Sequence, residues 1–408
     1  MNCRHCGTPL SLSFLDLGSA PPSNAYLGND QLAAAELHYP LHLMTCTNCW
    51  LVQTVDYAGR EAFFSDEYAY FSSVSKSWVA HAERYVTEMV ERFGLDARSR
   101  VVEIAANDGY LLQFVQQRGI PCYGVEPTLG TATAARAKGI EIVGEFFGTS
   151  LAAELAAKGR SATLMAANNV LAHVPDINDF VAGFTRLLAP NGVATFEFPH
   201  LLRMVQESQF DTAYHEHYSY LSLGTVSRIF ERAGLQVFDV QQQPTHGGSL
   251  RVFAQRADTG RQLVTPAVPA LLAEESAAGM QTEKFYSAFQ SAAERVKNDL
   301  LAFLIEARRK GQRVAAYGAA AKGNTLLNFA GVRPDLLPFV CDAAPSKQGK
   351  FMPGSRIPIL APDAIAERRP DFVLILPWNL ADEVRNQLPF VRDWGGKFVV
   401  AVPRLTVS

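Results

Sequence analysis

Between residues 100 and 200 short apolar runs alternate with stretches whose apolar positions recur every three or four residues. The runs are "RVVEIAA", "PCYGVEP", "IEIVGEF", "ATLMAANNV" and "GVATFEFP". Their length and β-branched content predict buried strands, and the periodic stretches between them predict helices, which together give βαβ units on a parallel sheet. The rhythm then changes. "LQVFDVQQQP" and "SLRVFAQR" are strand-like but joined by a short loop with no helix between them, so they predict an antiparallel hairpin. A long helical stretch follows, containing "FYSAFQSAAERVKNDLLAFLIEARRKG", and a second α/β unit begins at "RVAAYGAAAKGNTLLNF" and runs through "LLPFVCDAAPSKQG", "DFVLILPWN" and "KFVVAVP". Ahead of all this, "WVAHAERYVTEMVERFG" reads as a helix, and the first 56 residues hold short strand-like pieces such as "HYPLHLMTC" around a Pro-rich link, "GSAPPSNAYL".

Composition narrows the class. At 408 residues two or three domains are expected. A chain that is 48% hydrophobic and 19% charged with a net charge of −3 has the makeup of a globular protein and offers no electrostatic attraction to nucleic acid or an anionic membrane. No apolar run approaches the roughly 18 residues that span a bilayer, and "MNCRHCGTPL" lacks the apolar core of a secretion signal. The expectation is a cytoplasmic monomer or weak homo-oligomer. The cysteines add a module. Cys3 and Cys6, then Cys46 and Cys49, form two C-x-x-C pairs, which in a reducing compartment read as a tetrathiolate zinc site with no open position, hence a structural metal remote from the chemistry. Cys122 and Cys341 stand alone in apolar runs as small hydrophobes.

Five βα units closed by a hairpin are the profile of a class I methyltransferase sheet rather than of a nicotinamide-binding domain. The fold class expected is therefore α/β: a doubly wound class I methyltransferase sheet, a small N-terminal zinc-binding module and a C-terminal Rossmann-like domain. The expected divisions are 1–56 for the zinc module, 57–265 for the methyltransferase domain, 266–312 for a helical connector and 313–408 for the C-terminal domain.

In "VVEIAANDGYLL" a strand enters a tight turn and then a helix. Glu103 lies in the strand, Ala105, Asn107 and Gly109 in the turn, and Glu126 ends the next strand, where an acid can hold ribose hydroxyls. A full G-x-G-x-G loop is absent. The acids and the hairpin favour S-adenosylmethionine over a dinucleotide, with Phe146 and Phe147 as candidate adenine contacts and Asn168 facing the methionine part. A second strand-to-helix turn, "YGAAAKGNT", resembles a phosphate-binding turn with Lys322 as its charge and Asn324 beside it, and Asp342 ends the following strand. In "PTHGGSLR", His246 and Gly247 form the hairpin turn, and Arg251 is a partner for a phosphate or for a neighbouring acid. The segment "AYHEHYSYLS", residues 213–222, gathers two histidines, a glutamate and three tyrosines, more proton-moving groups than a helix surface or strand edge needs.

Taken in order, "CRHCG…CTNC", "EIAANDGYLL", "NNVLAHV", "YHEHYSYLS", "PTHGGSLR" and "YGAAAKGNTLLN" resemble the sugar C-methyltransferases of deoxysugar biosynthesis over essentially the whole chain. The resemblance implies methylation at C3 of a nucleotide-linked, dTDP-type 4-keto sugar, with S-adenosylmethionine and a zinc ion. It places the family's Tyr-x-Glu-His chemistry on Tyr214, Glu216 and His217, a further active-site histidine on His173 and an active-site tyrosine on Tyr70. Methylating carbon next to a ketone requires an enolate, hence a base near neutrality. His217 is the expected base, oriented by Glu216, with Tyr214, Tyr70 or His173 as donors to the enolate oxygen. Lys322 and its turn are assigned to the nucleotide diphosphate. Two other readings are a methyltransferase for a non-sugar substrate and a zinc-containing binding protein with an inactive methyltransferase fold; the absent glycine-rich loop favours the latter and the intact Tyr-x-Glu-His set opposes it.

Overall fold

A computed structural model describes residues 1–55 and 71–408, arranged around three sheets. The largest has seven strands in the spatial order Leu235–Gln243, Ser249–Arg256, Leu188–Pro199, Ala162–Asn168, Val101–Ile104, Cys122–Val125, Ile142–Val143. Five pair in parallel, and Ser249–Arg256 runs antiparallel to both its neighbours. This is the class I methyltransferase sheet with its closing hairpin. All four residues of Val101–Ile104 are buried, which is why the sequence there shows a continuous apolar run instead of an alternation.

Helix Lys76–Phe93 covers one face. Ser75 caps its start by accepting from the Trp78 amide, and Gly94 ends it at φ 60°. Its inward positions, Trp78, His81, Ala82, Tyr85, Val86 and Met89, follow the three-four spacing. The C-terminal sheet has the order Ile359–Leu360, Val340–Cys341, Val314–Tyr317, Phe372–Ile375, Lys397–Val400, Thr406–Val407, parallel except for the last strand. Three helices connect the two α/β parts: Ala267–Ala277, Glu283–Ser287 and Phe289–Arg309. The third buries Phe289, Ala293, Val296, Leu300 and Leu304 in the core shared by the N-terminal and C-terminal sheets, and Phe289 stacks on Phe14 with ring centroids 4.7 Å apart. Among the described residues no helix is long and apolar enough to cross a membrane.

The N-terminal sheet was only partly legible. Leu12–Ala20, Tyr39–Thr45 and Val52–Thr54 pair antiparallel, but the fourth strand is Ser219–Tyr220, which immediately follows the histidine-rich segment. The small module is therefore built into the centre of the protein.

Glu275 anchors the connector. Buried on helix Ala267–Ala277, its carboxylate accepts from His200 Nε2 (2.8 Å), the Leu223 amide (2.6 Å) and the Gly224 amide (2.8 Å). Removing a buried acceptor strands three donors at once, so Glu275→Ala is expected to lower the unfolding free energy by about 3–5 kcal/mol. Urea titration followed by circular dichroism checks this; a loss below about 1 kcal/mol contradicts it.

Candidate active site

The cofactor turn explains its own missing glycines. Ala105 (φ 59°), Asn107 (φ 49°) and Gly109 (φ 76°) occupy alternate left-handed positions, the conformations a G-x-G-x-G loop supplies with glycine. Asn adopts this region readily and Ala at a cost of about 1 kcal/mol. The turn is held from outside: Glu126 accepts from the amides of Asn107 and Thr128, both at 2.9 Å, and the Asn107 side-chain oxygen accepts from the Ser72 amide at 2.9 Å. Asp108 accepts from the hydroxyl of Ser73. Gly109 serves packing, in contrast to the expected role of admitting a ligand, since a Cβ there would overlap the Ile140 side chain and reach Ala135.

Burial holds the Glu103 carboxyl well above the usual carboxylate range; the Tyr110 hydroxyl opposes that shift, and the nearby acids Glu126 and Asp108 add to it. Asn168, at the end of its strand, is buried, and among the described residues neither of its amide atoms has a hydrogen-bond partner. An unpartnered buried amide beside an acid-lined, left-handed turn fits S-adenosylmethionine, which presents an amino acid and a ribose. Phe147 is corrected to a core residue: its ring packs edge-on against Phe180 (5.7 Å) and Phe184 (5.2 Å). Phe146 is 40% exposed.

The expected reaction cluster assembles, with one correction. The His217 ring lies 4.5 Å from that of His173 and 4.5 Å from that of Tyr214, centroid to centroid. Glu216 does not orient His217. Its carboxylate accepts from the Asn24 amide at 3.2 and 3.1 Å, and its main-chain carbonyl accepts from His173 Nδ1 at 3.0 Å. Consecutive residues here point apart, so a carboxylate next in sequence is not next in space. With Nδ1 as donor, neutral His173 keeps a lone pair on Nε2 and cannot donate from it to an enolate oxygen, contrary to expectation. Burial pulls His173 down to about 4 and His217 well below its usual value, the latter with the charges of His173, His246 and Lys322 adding, so the imidazoles are neutral bases at neutral pH. Burial pushes Glu216 up to about 7, against the Asn24 hydrogen bonds. Tyr70 lies outside the described residues.

The C-terminal turn reaches this cluster. Lys322 Nζ donates to Asn379 Oδ1 (2.8 Å) and sits 4.5 Å above the Trp378 ring, whose indole donates to Asp211 Oδ2 (2.8 Å). Burial lowers Lys322 to about 8 despite the charge of Asp211, and raises Asp211 to about 6. His246 takes a left-handed φ of 55° in the hairpin turn, edge-on to Trp78 at 5.1 Å, and Gly247 is required there because a Cβ would overlap Trp378. Of the two partners expected for Arg251, a phosphate or a neighbouring acid, the structure shows the acid: it donates to Glu197 (3.2 and 3.0 Å) and to Glu88 (3.1 Å). Asn324 is likewise occupied, donating to the Ser23 carbonyl at 2.7 Å. Asp342 accepts from the Ala344 amide (2.8 Å) and lies 3.4 Å from Lys347 Nζ at the end of its strand. Asn24, Thr54, Asp211 and Trp378 were not found from sequence; they sit in a turn, a three-residue strand and two single-turn 3-10 helices, all too short to show periodicity, and only spatial convergence identifies them.

At the N-terminus the sulfurs of Cys3, Cys6, Cys46 and Cys49 all lie within 4.8 Å of one another, the pairs Cys3–Cys49 and Cys6–Cys46 at 3.5 Å. Tetrahedral thiolates on zinc, with bonds of roughly 2.3 Å, stand about 3.8 Å apart, so the set fits that metal. The hydrogen bond from Cys49 holds Cys3 down at about 5 and raises Cys49 in turn. His5 is turned away, with Nδ1 2.8 Å from Asn178 Oδ1. The site is not remote from the chemistry as expected. Arg4, between Cys3 and Cys6, donates to the Thr54 carbonyl (3.0 Å), and the Thr54 hydroxyl donates to the His217 carbonyl (2.5 Å).

Three family models match successive parts of the chain: a domain described as zinc binding over residues 3–64, a methyltransferase domain over 78–240 and a C-methyltransferase C-terminal domain over 244–403. C-methyltransferase NovU of Streptomyces niveus is 37% identical over 402 residues, covering 98% of this chain and 95% of its own. Among solved structures, magnesium protoporphyrin IX methyltransferase of Synechocystis PCC 6803 with bound SAH is 14% identical at a TM-score of 0.36, over 44% of this chain and 83% of that one. The 1,6-didemethyltoxoflavin-N1-methyltransferase of Burkholderia thailandensis is 16% identical at a TM-score of 0.37, over 51% and 96%.

Two outcomes are expected. Elemental analysis should find one zinc per chain, and Cys46→Ser should lose it while speeding amide exchange in 214–220 as well as in 52–54; unchanged exchange in 214–220 contradicts the coupling. Glu126→Ala should weaken S-adenosylmethionine binding by calorimetry about 10- to 100-fold, the size of lost hydrogen bonds to a charged group, and an unchanged dissociation constant overturns the assignment.

Proposed function

The chain belongs to the C-methyltransferase family, and from that premise we propose that it methylates the carbon next to the ketone of a dTDP-linked 4-keto deoxysugar, at C3. The observation that carries this reading is the convergence of half-buried His217, His173 and Tyr214, the two imidazoles neutral, with Lys322 from helix Ala321–Phe329 of the C-terminal part.

S-adenosylmethionine, when bound, supplies the methyl group. The residues of the chain do the rest. His217 takes the proton from the carbon as the C–H electrons move into the enolate, and its lowered proton affinity keeps a lone pair available at neutral pH. The Tyr214 hydroxyl donates to the enolate oxygen, where the developing charge makes a hydrogen bond most valuable. His173, with Nε2 left basic by the Glu216 carbonyl, is the second candidate for the base. Lys322 is close enough to His217 to lower its proton affinity, which suits a diphosphate attached one sugar ring away from the reacting carbon. Asp342, beside Lys347 at the end of its strand, is placed to meet the nucleoside. The seclusion of the site limits water and strengthens each of these contacts.

Removal of a general base costs about 10²- to 10⁴-fold, so His217→Asn should lower kcat by that factor with cofactor binding intact. In D₂O with S-adenosylhomocysteine, wild type should introduce deuterium at C3 of the keto sugar by NMR and His217→Asn should not. Exchange by His217→Asn at the wild-type rate transfers the role to His173, and no methylation of any dTDP-linked keto sugar by the wild type rejects the substrate class.

A further inference from the structure

We propose that Asn24, which lies in the Pro-rich link of the N-terminal module, is a positioning residue of the methyl-transfer site that keeps the Glu216 carboxylate ionised; the catalytic consequence rests on the reading above.

Glu216 is 4% exposed, and among the described residues its carboxylate accepts hydrogen bonds only from Asn24, whose side-chain amide reaches both oxygens at 3.2 and 3.1 Å. A buried carboxylate with no donor takes up a proton, whereas one held by an amide keeps its charge more readily. Among the described residues, the groups near it are the Asn24 amide and the Tyr26 phenol on the N-terminal link, and His173 at its main-chain carbonyl with His217 beside His173. None of them supplies a positive charge at neutral pH, since burial raises Tyr26 and depresses both histidines. The Asn24 contact is thus what opposes burial at Glu216.

The link is itself fixed from the other side. Asn324 donates to the Ser23 carbonyl (2.7 Å), and the Tyr26 hydroxyl donates to the Ala319 carbonyl (2.6 Å), so the C-terminal turn grips the residues on both sides of Asn24. Glu216 in turn holds His173 through its carbonyl. Asn24 therefore lies between the C-terminal turn, which holds its neighbour Ser23, and Glu216, whose carbonyl holds His173.

The test uses the full zinc-loaded chain and needs no substrate for its primary readout. Infrared difference titration, with the Glu216 band identified by its loss in Glu216→Gln, should give a protonation midpoint near neutrality in the wild type. Asn24→Ala should move it upward by about one to two pH units, as expected for hydrogen bonds to a charged group. Asn24→Ser, which retains one donor, should fall between, and it carries the test if Asn24→Ala does not fold. S-adenosylmethionine affinity by calorimetry should be unchanged in both. With a dTDP-linked keto sugar, the acid limb of kcat should move with the midpoint, so that activity lost at pH 7 returns at higher pH. An unmoved midpoint in the variants overturns the proposal whatever happens to kcat. Failure of the wild type to methylate the keto sugar rejects the substrate reading and leaves the titration result standing.

Discussion

Much of this protein depends on a two-residue strand pairing. Val52 opposite Tyr220 and Gln53 opposite Ser219 join the N-terminal module to the segment that carries the catalytic candidates, and Thr54 continues the contact, its hydroxyl donating to the His217 carbonyl and its amide to the Tyr218 carbonyl at 3.2 Å. So short a pairing has little stability alone. It is held because the strand before it is fixed by the cysteine cluster: Arg4 donates to the carbonyls of Thr54 and Pro175 and lies over the Tyr218 ring at 5.3 Å. A structural zinc contributes on the order of 10 kcal/mol to a small module. Through Arg4 and Thr54 the cysteine module is tied to the backbone at His217.

The electrostatics of the centre follow from its seclusion. Three half-buried histidines, His173, His217 and His246, are all pushed toward neutrality, while Lys322 is brought down to about 8 and Asp211 up to about 6. Burial is the largest cause at each group and outweighs the individual pairings. The separate ionic layer below, where Arg251 bridges Glu197 and Glu88 and Glu197 also meets His81 at 2.9 Å, closes on itself. Its charges are consumed in holding helix Lys76–Phe93 against the sheet, which leaves Arg251 unavailable to a ligand.

The parallel strands were legible because burial on both faces writes a continuous apolar run into the chain, and the hairpin because no helix fits between its strands. The turn at Ala105 was legible as a cofactor turn only through its acids; its left-handed backbone is invisible in a sequence that spells it with alanine and asparagine. Strand Leu12–Ala20 was hidden by register shifts that break its alternation. The site residues Asn24, Thr54, Asp211 and Trp378 were hidden for another reason. They contribute one polar atom each from irregular segments, and their meaning arises only where chains distant in sequence meet. Adjacency misled in the opposite direction at Glu216, which stands next to His217 in the chain and serves His173 in space.

The grip of the C-terminal turn on the N-terminal link limits how such enzymes can be rebuilt. Asn324 holds Ser23, Thr325 donates to the Ala213 carbonyl at 2.8 Å, and Lys322 lies among the residues of the middle part of the chain. A chimera that exchanges the C-terminal portion for that of a relative replaces the residues that hold Ser23 and Ala213 and the lysine that lies near His217. Altering substrate range by domain shuffling would therefore require grafting the residue 21–28 link and the 209–220 segment with it, as one cassette assembled from three separate stretches of the gene.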